Sequence, residues 1–164
     1  MEPKANQTSN EYLKTKIMTA SPEQLQLMLY DGAIRFCEQA RPAIRGRDIE
    51  KSYSLLTRAE NIIMEMMKSM RDDIAPETCA KMRSLYLFCY EKLVEANLKK
   101  DIEHLDDALK VLRHMRETWL LLMDKLHREK HPAAESDAPS PPPAPPSHAD
   151  LLEQFVGSTI SLEG

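Results

Sequence analysis

Apolar positions recur every three or four residues through most of this chain, from about Pro22 to Leu126. From Pro22 to Arg45 the stripe reads Leu25, Met28/Leu29, Ala33, Phe36 and Ala40, with further apolar residues Leu27, Tyr30, Ile34 and Cys37 beside it. A second run carries Ile49, Tyr53, Leu56, Ala59, Ile63, Met66/Met67 and Met70. A third carries Cys79, Met82, Leu85/Tyr86, Cys89, Leu93 and Ala96, and a fourth Leu105, Leu109, Leu112, Met115, Trp119, Leu122 and Leu126. This spacing is helical. Short polar breaks at Gly46–Asp48, Arg71–Pro76 and Lys99–Asp101 separate the runs. Short connections force antiparallel neighbours, so the pattern predicts an all-α fold, an antiparallel up-down four-helix bundle over residues 21–131.

Local signals mark the ends. Ser21 can cap the first helix, Pro22 suits its first position, and Gln24 completes a capping-box spacing. Pro42 is expected to bend the last turn and Gly46 to end it. Asp48 and Asp101 are placed to cap the second and fourth helices. Residues 1–20 form a polar arm with the anchors Tyr12, Leu13, Ile17 and Met18, expected to be partly ordered on the bundle. From Pro132 the composition changes: 132–147 is a proline-rich spacer expected to be disordered, and 148–164 a tail with a short amphipathic segment, Asp150–Val156.

Every run carries more apolar residues than one buried face needs. A core-facing stripe about 100° wide suffices for a surface helix. The second run adds Leu55, Ile62 and Met64; the third Leu87, Phe88, Tyr90, Val94 and Leu98; the fourth Leu120, Leu121 and Met123. Inter-helix packing absorbs part of this surplus, and contiguous exposed patches usually mark interaction sites. Ten methionines among 164 residues, four of them between Met64 and Met70, suit a surface that accommodates helices of differing shape; filling core gaps is the competing role.

Composition narrows the function classes. Net charge is −4 from 22 basic and 26 acidic residues, well interspersed, so there is no basic footprint for nucleic acid. No run approaches the roughly 20 apolar residues of a membrane span, so no membrane insertion is expected. The polar N-terminus lacks a signal-peptide core, which points to the cytosol. Cys37, Cys79 and Cys89 lack CxxC spacing and read as small core hydrophobes.

No phosphate loop, dinucleotide-binding glycine pattern or nucleophile elbow is present, so no catalytic residue and no cofactor are assigned and the chain is read as a non-enzyme. Metal ligands are not assigned either: there is no Glu-x-x-His pair, and His127 and His131 lack a third ligand. His104 and His114 raise a phosphorelay bundle as an alternative, although Glu117 beside His114 would repel a phosphoryl group. The same pattern is compatible with a metal-binding bundle or with a generic homo-oligomerising helical protein, and the oligomeric state stays open.

Three stretches, Asn10-Glu11-Tyr12, Thr19-Ala20-Ser21-Pro22-Glu23-Gln24-Leu25 and Leu27-Met28-Leu29-Tyr30-Asp31-Gly32-Ala33, resemble the FliS-type flagellin export chaperones. Arg58–Ile63, Leu93–Asp101 and Leu112–Trp119 agree with the family in order and spacing, so the resemblance spans about residues 10–125. It implies a cytosolic four-helix bundle that binds the disordered C-terminal segment of flagellin along apolar grooves. Such a chaperone would prevent premature polymerisation and hand its client to the flagellar type III export gate. It also implies an N-terminal arm whose tyrosine, here Tyr12, covers the groove when the client is absent. The residues assigned to partner binding are Tyr12, Leu25, Leu27, Met28, Tyr30, Ile62, Met66, Leu87, Tyr90, Val94 and Leu98. The tail, 132–164, lies outside the resemblance.

Overall fold

The computed structural model describes residues 4–131, with side chains from Thr8 onward. The expected spacer and tail, 132–164, lie outside these residues. Five helices and no strand occur among the described residues: α1 (Lys4–Thr19), α2 (Pro22–Arg45), α3 (Ile49–Lys68), α4 (Pro76–Lys99) and α5 (Ile102–Lys130).

The capping signals act as the sequence predicts. Ser21 Oγ accepts from the Gln24 amide (3.2 Å), and Gln24 Oε1 accepts from the Ser21 amide (3.1 Å). Two of the orphan donors at the start of α2 are thereby satisfied. Asp48 accepts from the Lys51 amide and Asp101 from the Glu103 amide, at 3.0 and 2.9 Å. The α2–α3 turn differs in detail. Gly46 ends α2 but keeps a right-handed φ of −77°, and the left-handed residue is Arg47 at φ 55°. Asp48 then donates its amide to Ala43 O, which closes the turn.

Cross-helix contacts show the order of packing. Gly32 faces Ile62 and Phe36 faces Arg58 between α2 and α3. Glu60 meets Asn97 and Tyr53 meets Lys100 between α3 and α4. Lys92 and Glu95 meet Asp107 and His104 between α4 and α5, and Asp31, Glu38 and Arg41 pair with Arg116, Arg113 and Asp106 between α2 and α5. In each pair the numbers rise on one helix as they fall on the other, so each pair is antiparallel. α2 and α4 each pack on both α3 and α5, while α1 packs on none of them to a comparable extent.

The core runs through the centre of these four helices. It contains Tyr30, Ala33, Cys37, Ala40 and Ile44 of α2; Leu55, Leu56, Ala59, Ile63 and Met66 of α3; Tyr86, Cys89, Leu93 and Ala96 of α4; and Leu105, Leu109, Leu112 and Met115 of α5. The stripes predicted for α4 and α5 hold apart from Leu85, which is exposed. On α2 the buried stripe is rotated by about one position: Gln26, Tyr30, Ala33, Cys37 and Ala40 are inside, and Leu25 and Met28 turn outward. On α3, Ile49 and Tyr53 are exposed, whereas Leu55 is buried.

A polar contact explains the rotation of α2. Tyr30 and Tyr86 hydroxyls lie 2.7 Å apart in the core, and Gln26 Nε2 donates to Tyr86 Oη at 3.3 Å and lies 3.5 Å from Met66 Sδ. Buried polar groups must meet one another, so these side chains fix which way α2 faces. Amphipathic spacing alone treats Gln26 as an outward residue.

Candidate functional site

The four seams between α2, α3, α4 and α5 differ in chemistry. The α2–α5 seam is closed by the three cross-helix ion pairs named above, and Trp119 Nε1 donates to Glu23 O at 3.2 Å near the start of α2. Leu27 lies one turn from both Glu23 and Asp31 on this face and is half-buried. The α4–α5 seam carries Lys92–Asp107 and the His104–Glu95 contact. The other two seams are largely apolar.

On the α2–α3 seam, Leu25 is 38% exposed, and Met28, Phe36 and Ile62 are half-buried. Gly32 makes the close approach possible: a Cβ there would lie 3.2 Å from Ile62 Cδ1. At the rim, Arg35 and Arg58 place their guanidinium carbons 5.4 and 5.7 Å from the Phe36 ring centroid. Cation–π geometry of this kind holds the two arginines over the ring.

On the α3-facing side of α4, Leu87, Tyr90, Val94 and Leu98 follow one another at spacings of three, four and four. Tyr90 and Val94 share the face of Asn97, which donates to Glu60 of α3 at 3.2 Å, and Leu87 and Leu98 lie next to it on the side away from the core. Leu87 is 47% and Leu98 80% exposed, with Tyr90 and Val94 half-buried between them. Across the seam α3 presents Tyr53, Glu60, Met64 and Met67 on one face. Tyr53, 60% exposed with Lys100 over its ring, belongs to this patch although its spacing marks it as core.

The structure therefore sorts the expected partner-binding residues into groups. Leu25, Met28 and Ile62 meet on the α2–α3 seam, and Leu87, Tyr90, Val94 and Leu98 line the α3-facing edge of α4. Leu27 stands apart, on the α5 side. Tyr30 and Met66 are a correction: both are fully buried beneath the seams, held by the Gln26–Tyr86 contacts, and present no surface. Tyr12 is 71% exposed on α1 and covers no groove in this conformation. Leu85 and Phe88, on the opposite side of α4, are a further exposed pair, with Lys92 over the Phe88 ring.

The thiols and histidines take other places. Burial pushes the Cys37 and Cys89 thiols up to about 12, so neither is a ready nucleophile. His104 lies 3.0 Å from Glu95 and 3.7 Å from Asp101, a setting hostile to an incoming phosphoryl group. His114 is exposed. Among the described residues no three metal-ligating side chains converge, and no helix is long and apolar enough to cross a membrane. Exposed apolar seams of this kind are the usual mark of an interaction surface.

Comparison with known proteins assigns the family. The model of the flagellar protein FliS family matches residues 4–126, and the chain belongs to that family. The flagellar secretion chaperone FliS of Bacillus subtilis (strain 168) is 32% identical over 120 residues, which cover 73% of this chain and 89% of the relative. Those of Campylobacter jejuni and Salmonella typhimurium are each 29% identical over 114 residues, covering 70% and 69% of this chain and 89% and 84% of their own.

Proposed function

We propose that this chain is a flagellin export chaperone: an antiparallel up-down four-helix bundle in the cytosol that binds the C-terminal segment of flagellin. The client lies helical along the α2–α3 seam and the α3-facing edge of α4, is kept from polymerising, and is handed to the flagellar type III export gate. Family membership supports this reading, as do relatives that are themselves named flagellar secretion chaperones. The observation that carries the binding surface is the row Leu87, Tyr90, Val94 and Leu98, whose ends are open to water on a helix whose core face is already filled.

The physical logic fits an extended client. A segment that orders on binding must offset that ordering over a long apolar surface. Two separate seams supply such a surface. Tyr12, on the loosely packed α1, is free to swing onto a seam when no client is present.

Titration of a flagellin C-terminal peptide, followed by calorimetry and circular dichroism, tests the reading. Binding at micromolar concentrations with a gain in helicity is expected. Leu98→Glu should lower affinity about tenfold, ~1.4 kcal/mol, while leaving stability within about 0.5 kcal/mol as befits an exposed site. No binding and unchanged helicity at tens of micromolar would refute it.

A further inference from the structure

The α2–α3 seam carries a feature that the other seams lack. Arg35 and Arg58 flank one phenylalanine, are both exposed, and form no ion pair among the described residues. Elsewhere the guanidiniums at the seams are matched: Arg41, Arg113 and Arg116 each have a carboxylate on a facing helix. The cation at the α3–α4 seam, Lys100, is already engaged by Asn97 and Tyr53. In a chain of net charge −4, two unpaired arginines beside the apolar row Leu25, Met28 and Ile62 call for an acidic, apolar occupant.

Such a segment exists in the same chain. From His131 to Gly164 there are five acidic residues, Glu135, Asp137, Asp150, Glu153 and Glu163, and no Lys or Arg. Within it Leu151, Leu152, Phe155 and Val156 recur at spacings that fall on one side of a helix, with Glu153 one turn before Val156 at the edge of that side and Asp150 at its start. We infer that residues 150–156 occupy the α2–α3 seam, with the Glu153 carboxylate at Arg35 and Arg58, when no other partner is bound.

Reach permits this. Trp119 touches Glu23, so α5 runs past the start of α2, and its eleven further residues to Lys130 carry the chain about 16 Å beyond that point. Arg35 lies about 18 Å along α2 from Glu23 in the other direction. Residues 131–149 must therefore cover about 34 Å along the axis plus the width of a helix or two. A proline-rich spacer of this length can extend to about 60 Å. Tethering raises the effective concentration to the order of 1 mM. If the untethered segment binds with a Kd of about 100 μM, it fills roughly nine-tenths of the seams and weakens a competitor about tenfold.

The competition rests on the client reading above, but the docking does not, and full-length protein separates the two. Amide and arginine Nε–H resonances of the client-free chain are compared with those of the full-length Leu152→Ser/Phe155→Ser variant. Docking predicts shifts at Leu25, Ile62 and Arg58 between the two proteins, and release in 0.5 M salt as charges are screened (Debye length about 4 Å). Arg58→Glu should release the segment, and Arg58→Glu with Glu153→Arg should restore it. Identical seam resonances in the native chain and the double-serine variant overturn the inference. Seam shifts that follow protein concentration, with a doubled mass in sedimentation, assign the seam to a second copy and overturn it too. In the variant, the flagellin peptide should bind about tenfold more tightly. If the segment docks and the peptide binds neither protein, the inference stands and the client reading fails. If the peptide binds both equally and the seams do not change, the reverse holds.

Discussion

Removing one hydroxyl from the core should show how the orientation of α2 is held. In Tyr86→Phe, the Tyr30 hydroxyl loses its partner at 2.7 Å and Gln26 Nε2 loses its acceptor at 3.3 Å. The two rings still stack, with centroids 6.5 Å apart, so little packing is lost. A neutral hydrogen bond contributes about 1 kcal/mol net, and a buried group left unpaired costs about 1–3 kcal/mol. The single substitution should therefore cost about 2 kcal/mol, with Tyr30→Phe similar or somewhat smaller. Burial pushes both phenols above the ordinary tyrosine range, so the hydroxyls stay neutral and the cost should be the same from pH 6 to 9. In Tyr30→Phe/Tyr86→Phe no phenol is left stranded, and the double variant should cost about 1 kcal/mol less than the two singles summed. Urea denaturation measures this as a fall in midpoint on the order of 1 M for either single variant. Singles that cost less than about 0.5 kcal/mol, or a double equal to their sum, would refute the claim that this contact orients α2.

Further substitutions test neighbouring features. Gly32→Ala adds a Cβ 3.2 Å from the free end of Ile62, a half-buried side chain able to yield, so the helix-propensity gain of about 0.5–1 kcal/mol should dominate and raise Tm. Gly32→Leu should force α2 from α3 and lower it. Trp119→Phe removes the indole donor to Glu23 O and should cost about 1 kcal/mol in chemical denaturation. Cys37 and Cys89, held near 12 by burial, should react with a thiol reagent at pH 8 only as fast as the core opens, so their labelling rate should track unfolding across the variants above. The Arg41 hydrogen bond holds the Asp106 carboxyl below the usual aspartate range. Its contribution is present above the unfolded aspartate pKa and is lost as pH falls through the lowered value. Since the pair is partly exposed, Asp106→Asn should cost only a few tenths of a kcal/mol at pH 7 and less as the pH is lowered toward 2, by thermal melts across that range.

Much of the architecture was written in local chemistry. Ser21, Asp48 and Asp101 start helices because a side-chain oxygen beside free amides has few better partners, wherever the helix goes next. The three-and-four spacing of Leu105, Leu109, Leu112 and Met115 left one face of α5 to bury. The family was legible in the same way, through the run around Ser21–Gly32 and the three later stretches in order. The outward rows on α4 were also visible, because a helix with apolar residues on more than one side cannot hide them all among three neighbours.

Assigning individual residues to core or surface needed the tertiary structure. Tyr30 counted as surplus by spacing and Met66, though on its stripe, was assigned to partner binding, yet Gln26 and Tyr86, distant in sequence, draw them inside. Tyr53 fits a core stripe, but near the start of α3 it stays largely exposed, with Lys100 over its ring. The pairing of Arg35 with Arg58 over Phe36 joins residues more than twenty positions apart, so no local pattern could show it. Periodicity measures how much of a helix must be buried; which side goes in depends on the polar groups that neighbouring helices bring to meet it.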